Sequence, residues 1–288
     1  EQREKEHWDD AAGPNPYLDL PGMQIFSYDI GADAEDWAAD GEFDGFSLNE
    51  YFKAKKLDPK SSATGPGAYE FEDPARVHEF LEMLRGTLPE QMKLQIVGGQ
   101  KPPFPYQSPV FAQAITHSVW YLNDVAGCFA MRDALLKHPY FSTFEVVVAA
   151  GSGVGMGAAA KPPVMDAIDR AAKAGTGSIT VTCGKLMTGV TVREWGAILM
   201  LRSLKSPETY FQAAFRVQSP WSKRQPDGTV EVLKDPVYVF EFDPNRALTL
   251  VGEYGMRLGA LGETTPQEAI GQLLNYLPIF AFAGGMMT

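Results

Sequence analysis

Apolar positions in this chain fall into short continuous runs separated by stretches with helical spacing. From residue 115 onward the two kinds alternate. Residues 118–122 (SVWYL) read as a strand and 125–137 as an amphipathic helix ending before His138-Pro139. A buried strand follows over 144–149 (FEVVVA), then a helix over 163–173, strands over 179–182 and 197–201, and a helix opened by Ser206-Pro207-Glu208. A strand over 238–242 and a helix over 245–258 complete the series. Short strands alternating with helices, with the continuous apolar run 197–201 among them, predict an α/β fold with a mostly parallel sheet covered on both faces. The first third is less regular. Residues 23–30 read as a strand, 47–55 as a short helix, and 75–85 as a helix with Val77, Phe80, Leu81 and Leu84 on one stripe after Asp73-Pro74. Residues 59–67 have loop composition, and the proline-rich segment 101–109 marks the domain boundary.

The chain is organised around residues 178–221. Gly184 and Gly189 bracket a turn at which backbone can approach a ligand. The apolar run 197–201 (AILML) follows, and Ser206 then caps a helix that begins with proline and an acidic first turn. Gln212 and Arg216 are four residues apart and so share a helix face. An arginine held beside a glycine turn suits a polyphosphate, because its planar fork binds oxygens in pairs and stays charged.

This stretch resembles the last two signature motifs of superfamily 2 helicases, and more narrowly the helicase-like motor subunits of bacterial restriction systems. The resemblance rests on Thr188-Gly189, the apolar strand after it, and Gln212-Ala213-Ala214-Phe215-Arg216. It implies a RecA-like domain of the P-loop NTPase type, the second of a pair, preceded by an irregular α+β segment. Residues 1–109 would lead away from a first motor domain, 110–262 would be the second, and 263–288 a C-terminal helix at the edge of the next segment. The resemblance makes Arg216 the finger that reaches the γ-phosphate, with Gln212 beside it, and places Gly189 and Thr191 at ATP. It assigns contacts with the DNA backbone to Gly151, Gly153, Cys183, Lys185 and Thr188. Two positions depart from the family pattern: Ser219 stands where many relatives carry a second arginine, and Thr191 where an aspartate is usual.

Neither G-x-x-x-x-G-K-[ST] nor an acidic D-E-x-H/D run occurs, so ATP and Mg²⁺ are expected to be held mainly by the first motor domain. The expected partners are DNA, that first domain, and restriction nuclease or methylase modules, in a bacterial cytoplasm and without a membrane. The charged start EQREKEHWDD, lacking an initiating Met, suggests excision from a longer polypeptide.

Bulk properties narrow this picture. With 45% hydrophobic and 21% charged residues, the chain has the composition of an ordinary globular protein. The formal charge of −11 argues against a surface that coats DNA nonspecifically, though not against a narrow local groove. Cys128 and Cys183 are too few for a disulfide framework, and His7, His78, His117 and His138 are scattered without zinc spacing.

Rival patterns exist. Gly153 to Ala158 fits G-x-G-x-x-A after a strand, which would suit an NAD-type oxidoreductase, but Pro162-Pro163 is expected to interrupt the helix that should open there. Asp227, Glu231 and Lys234 resemble a nuclease carboxylate set, yet Asp227-Gly228 reads as a hairpin turn. The acidic residues 33–44 read as a solvated face, and the glycine-broken apolar end (LPIFAFAGGMMT) as a domain edge. A third possibility is a helicase-like scaffold without catalysis.

Overall fold

A computed structural model describes residues 5–6, 8, 15–30, 39–40, 45–87, 103–151, 157–187, 189–259, 265, 268, 277–283 and 286–287. The strands are β1 (Met23–Tyr28), β2 (Ala39–Asp40), β3 (Gly45–Phe46), β4 (Ala54–Lys56), β5 (Tyr69–Phe71), β6 (His117–Leu122) and β7 (Glu145–Ala149). They continue with β8 (Ser178–Thr182), β9 (Ala197–Leu201), β10 (Ser222–Arg224), β11 (Val230–Val232), β12 (Val237–Glu241), β13 (Ile279–Ala283) and β14 (Met286–Met287). The α-helices are α1 (Leu48–Tyr51), α2 (Pro74–Leu84), α3 (Val125–Lys137), α4 (Lys161–Ala174), α5 (Pro207–Ala214) and α6 (Pro244–Gly259).

The main sheet has the order β14-β13-β1-β12-β9-β6-β8-β7. All its pairs are parallel except the short β13–β14 return. Every residue of β6, β8, β9 and β12 is buried, polar ones such as Ser118, Thr180 and Glu241 included, as a sheet covered on both faces requires. Successive side chains leave a strand on opposite faces, which divides the core in two. One face packs Phe26, Trp120, Leu199 and Phe240 against α2 and α3. The other packs Ile25, Val119, Ile198 and Val239 against α4, α5 and α6. This is the α/β class expected.

β8 and β9 are consecutive in sequence but not neighbours in space, because β6 lies between them. The segments expected to flank 110–262 both supply strands: β1 sits between β12 and β13. The helix expected over 263–288 falls largely outside the described residues, and Ile279–Ala283 within it is strand.

Several local expectations change. The helix expected over 47–55 stops at Tyr51, and Ala54–Lys56 pairs antiparallel with β5, where Glu72 N–H also bonds to Lys53 O at 2.9 Å. β7 is half-buried along most of its length because it forms the sheet edge. Pro162 and Pro163 do not prevent a helix: α4 starts at Lys161, and the prolines lie in its first turn, where missing N–H groups cost nothing. Asp227-Gly228 is a hairpin turn, with β10 and β11 antiparallel and Gly228 at φ 87°.

Candidate functional site

Two places collect the residues singled out from sequence. The first is the carboxyl edge of the parallel strands, where α/β sheets bind ligands because all strands deliver their following loops to one side. β7 ends in Ala149 and leads to Gly151, whose φ of 82° favours glycine. β8 ends in Thr182 and leads to Cys183, Gly184 and Lys185. Two bonds join these loops: Thr182 Oγ1 donates to Ala149 O at 2.9 Å, and Lys185 Nζ donates to Gly151 O. The structure therefore brings Gly151, Cys183 and Lys185 together. Gly153 and Thr188 lie outside the described residues.

Cys183 is half-buried and contacts Cys128 of α3, which is fully buried. A hydrogen bond from the Cys128 thiol lowers the pKa of Cys183, opposed by burial and Asp124 and aided by Arg202 and Lys185. The same bond, with burial next, pushes the Cys128 thiol well up.

Arg202 follows β9 at this edge and was not singled out from sequence. Its Nη1 donates to Tyr121 OH at 3.2 Å, and its guanidinium carbon stands 4.9 Å from the Tyr121 ring centre. Its Nε is buried without a hydrogen-bond partner. An arginine directly after an apolar parallel strand was the signal available. The next residue, Ser203, accepts Leu48 N–H at 3.0 Å on its Oγ and donates its own N–H to Asn49 Oδ1 at 3.1 Å. α1 is thereby docked beside the edge.

The second place gathers Gly189, Thr191, Gln212 and Arg216. Gly189 has φ 68° and a Cβ there would meet nothing within 4 Å, so the position is open to a ligand. Thr191 and Gln212 are exposed, and Arg216 is half-buried. Arg216 Nη1 donates to Val190 O at 3.0 Å and Nε to Gln212 O at 3.1 Å. Because Val190 lies between Gly189 and Thr191, these bonds draw all four residues into one patch. Nη2 has no hydrogen-bond partner among the described residues.

The expected helix face carrying both Gln212 and Arg216 is corrected. α5 ends at Ala214 with Phe215 as its cap, so Gln212 is helical and Arg216 lies in the turn beyond. There the backbone tightens to i→i+3 bonds, Arg216 N to Ala213 O at 3.0 Å and Val217 N to Ala214 O at 3.3 Å. Val217, in the same turn, is buried.

Among the described residues, no three His, Cys, Asp or Glu side chains group to hold a metal ion. No helix among them is long and apolar enough to cross a membrane.

No known family model matches the chain. Over 173 residues, 58% of its length, the chain is 32% identical to a protein of Mycoplasma pneumoniae described as the C-terminus of a type II restriction enzyme and methyltransferase. The chain spans only 23% of that relative's length. Among solved structures, it superposes on a fragment of an HsdR subunit of a type I restriction enzyme from Vibrio vulnificus with a TM-score of 0.40 and 11% identity. That superposition covers 93% of this chain and 38% of the other, and at this TM-score it carries no argument.

Proposed function

We propose that this chain is the second motor domain of an ATP-dependent DNA helicase or translocase within a restriction-modification protein. The observation that carries the reading is the Arg216–Val190 bond, which joins positions 26 residues apart into a patch with Gly189, Thr191 and Gln212. Turn, apolar strand and glutamine-arginine segment were chosen from sequence, and they meet in space. The Mycoplasma relative supports the restriction context.

In this reading the two carbonyl bonds fix the plane of the Arg216 guanidinium, while Nη2 faces the nucleotide. A fixed cation aimed where charge develops on the transferred phosphoryl group lowers the barrier without reorganising in the reaction. Gln212 offers a neutral amide beside it. The triphosphate and Mg²⁺ are held mainly by the first motor domain, since this sequence carries neither a phosphate-cradling G-x-x-x-x-G-K-[ST] loop nor an acidic D-E-x-H/D run. At the carboxyl edge, Gly151, Cys183 and Lys185 follow the DNA backbone, positioning the strand without reading its sequence, and the helicase resemblance adds Gly153 and Thr188 to these contacts. Nuclease or methylase modules are the other partners, and the setting is the bacterial cytoplasm. The test is DNA-stimulated ATP hydrolysis by the intact protein, with and without Arg216→Ala.

A further inference from the structure

Arg216 is followed by Val217, and what holds Val217 comes from outside the motif. Lys234, between β11 and β12, is only 3% exposed. Its Nζ donates to three backbone carbonyls: Arg193 O at 2.7 Å, Trp195 O at 2.8 Å and Val217 O at 2.8 Å. Two of these lie on the segment running from Gly189 and Val190 into β9. The third lies on the turn that carries Arg216.

Both backbone supports of the Arg216 side chain therefore converge on one ammonium. The turn sets where the side chain starts, and the segment presents the Val190 carbonyl that orients its head. Three acceptors call for three protons, which the ammonium has and a neutral amine lacks. Burying an ammonium is costly unless its donors are paired, and here all three are. Burial pulls the Lys234 pKa down to about 7, with the nearby Glu194 carboxylate opposing. Adjacent residues fasten the same strut to separate parts of the chain. Gln113 Nε2 donates to Leu233 O at 2.9 Å, and Gly22 N–H to Asp235 Oδ1 at 2.9 Å. An apolar side chain at 234 would leave three inward carbonyls unpaired.

We infer that Lys234 is a positioning residue for Arg216, a three-way clasp that locks the Val190–Trp195 segment to the turn after α5. The inference rests on the reading of Arg216 as the arginine finger. A displacement of about 1 Å in a catalytic group can cost about 10²-fold in rate.

The test uses the intact protein carrying Lys234→Met or Lys234→Gln, each alone and combined with Arg216→Ala. Either single change should lower kcat for DNA-stimulated ATP hydrolysis by about 10²-fold with KM for ATP changed only a few-fold. Added to Arg216→Ala, it should lower kcat no further. Amide hydrogen exchange should speed up at 190–196 and 213–218 while the central strands keep their protection. Unchanged kcat, or a full further loss on the Arg216→Ala background, would overturn the positioning role. An Arg216→Ala enzyme running at wild-type speed would instead overturn the finger reading, and the exchange pattern still reads the clasp on its own. Should both Lys234 variants fail to fold, the wild-type protein decides through amine labelling by a succinimidyl ester. Lys234 should react far more slowly than the exposed Lys223, and labelling at equal rates would overturn the clasp.

Discussion

Arg216→Ala separates chemistry from folding most cleanly. The substitution removes two hydrogen bonds, to Gln212 O and Val190 O. Each has a net worth of about 0.5–1.5 kcal/mol, and the Gln212 bond is exposed enough for water to replace it. A loss of about 1–2 kcal/mol follows, which in a chain of this size lowers Tm by roughly 2–8 °C. Domains have about 5–15 kcal/mol of stability, so the variant stays folded at assay temperature. Loss of an arginine finger costs about 10³–10⁵ in turnover, equivalent to roughly 4–7 kcal/mol of barrier. The catalytic effect thus exceeds the folding effect several-fold. Steady-state hydrolysis on saturating DNA should show a collapsed kcat and a KM for ATP changed only modestly, because the proposed function leaves most of the triphosphate to a first motor domain. Calorimetry of the same preparation supplies Tm. If Arg216 were a structural tie alone, activity would fall only in proportion to folded protein. Normal melting together with wild-type hydrolysis would refute the finger assignment.

Gln212→Ala should show a milder kcat defect of the same kind, and a loss equal to that of Arg216→Ala would refute the neutral-amide role. Lys185→Ala should weaken DNA binding about equally for unrelated sequences and reduce the salt slope by about one contact; binding titrations at several salt concentrations would count against it if the slope stayed the same. Gly196→Ala would place a Cβ 2.6 Å from Ala114 O, costing about 1–3 kcal/mol, whereas at Gly252, inside α6, a Cβ meets nothing within 4 Å and alanine should stabilise by about 0.5–1 kcal/mol. Thermal melts of the two should move in opposite directions. His138 is buried, its Nδ1 accepts Tyr140 N–H at 3.2 Å, and its Nε2 lies 3.0 Å from Glu82 Oε1. Burial holds its pKa below the usual histidine value against the pull of Glu82, with His78 and Arg85 adding to the depression. The unfolded chain then takes up the proton first as pH falls through about 6.5, so stability is intact above that value and is lost below it. His138→Gln should show a smaller fall in Tm between pH 7.5 and 5.5 than the wild type, with some fall remaining because burial also depresses His117.

Local chemistry made most of the helices and strands legible. α3 spans the 125–137 expected from sequence, and the structure adds Asp124 as its cap, accepting Gly127 N–H at 2.7 Å. α2 opens at Pro74 behind Asp73, whose carboxylate accepts Arg76 N–H at 3.1 Å. The apolar run at β9 and the alternation of strands with helices announced a doubly covered parallel sheet, whose buried strands nonetheless carry polar residues such as Ser118, Thr180 and Glu241. Within the candidate site, Gly189 could be named from its turn, and Gln212 and Arg216 from the resemblance of their segment to a helicase motif.

Other features depend on contacts between distant segments, and no local pattern carries those. That β1 is inserted between β12 and β13 follows from backbone pairing across more than two hundred residues. α5 ends before Arg216, in a turn where Val217 is buried and its carbonyl accepts from Lys234, and neither contact alters the helical spacing of the sequence. Lys234 entered the sequence reading only in a nuclease-like set with Asp227 and Glu231 that gave way to a hairpin, yet folding surrounds it with three carbonyls from two other segments. Sequence alone determined most of the strands and helices between residues 115 and 258, since cap, period and apolar run act within a few residues. Strand order, the end of the arginine helix and the pairing of buried polar groups were decided only in the tertiary structure, where burial forces each donor and acceptor to find its partner across the chain.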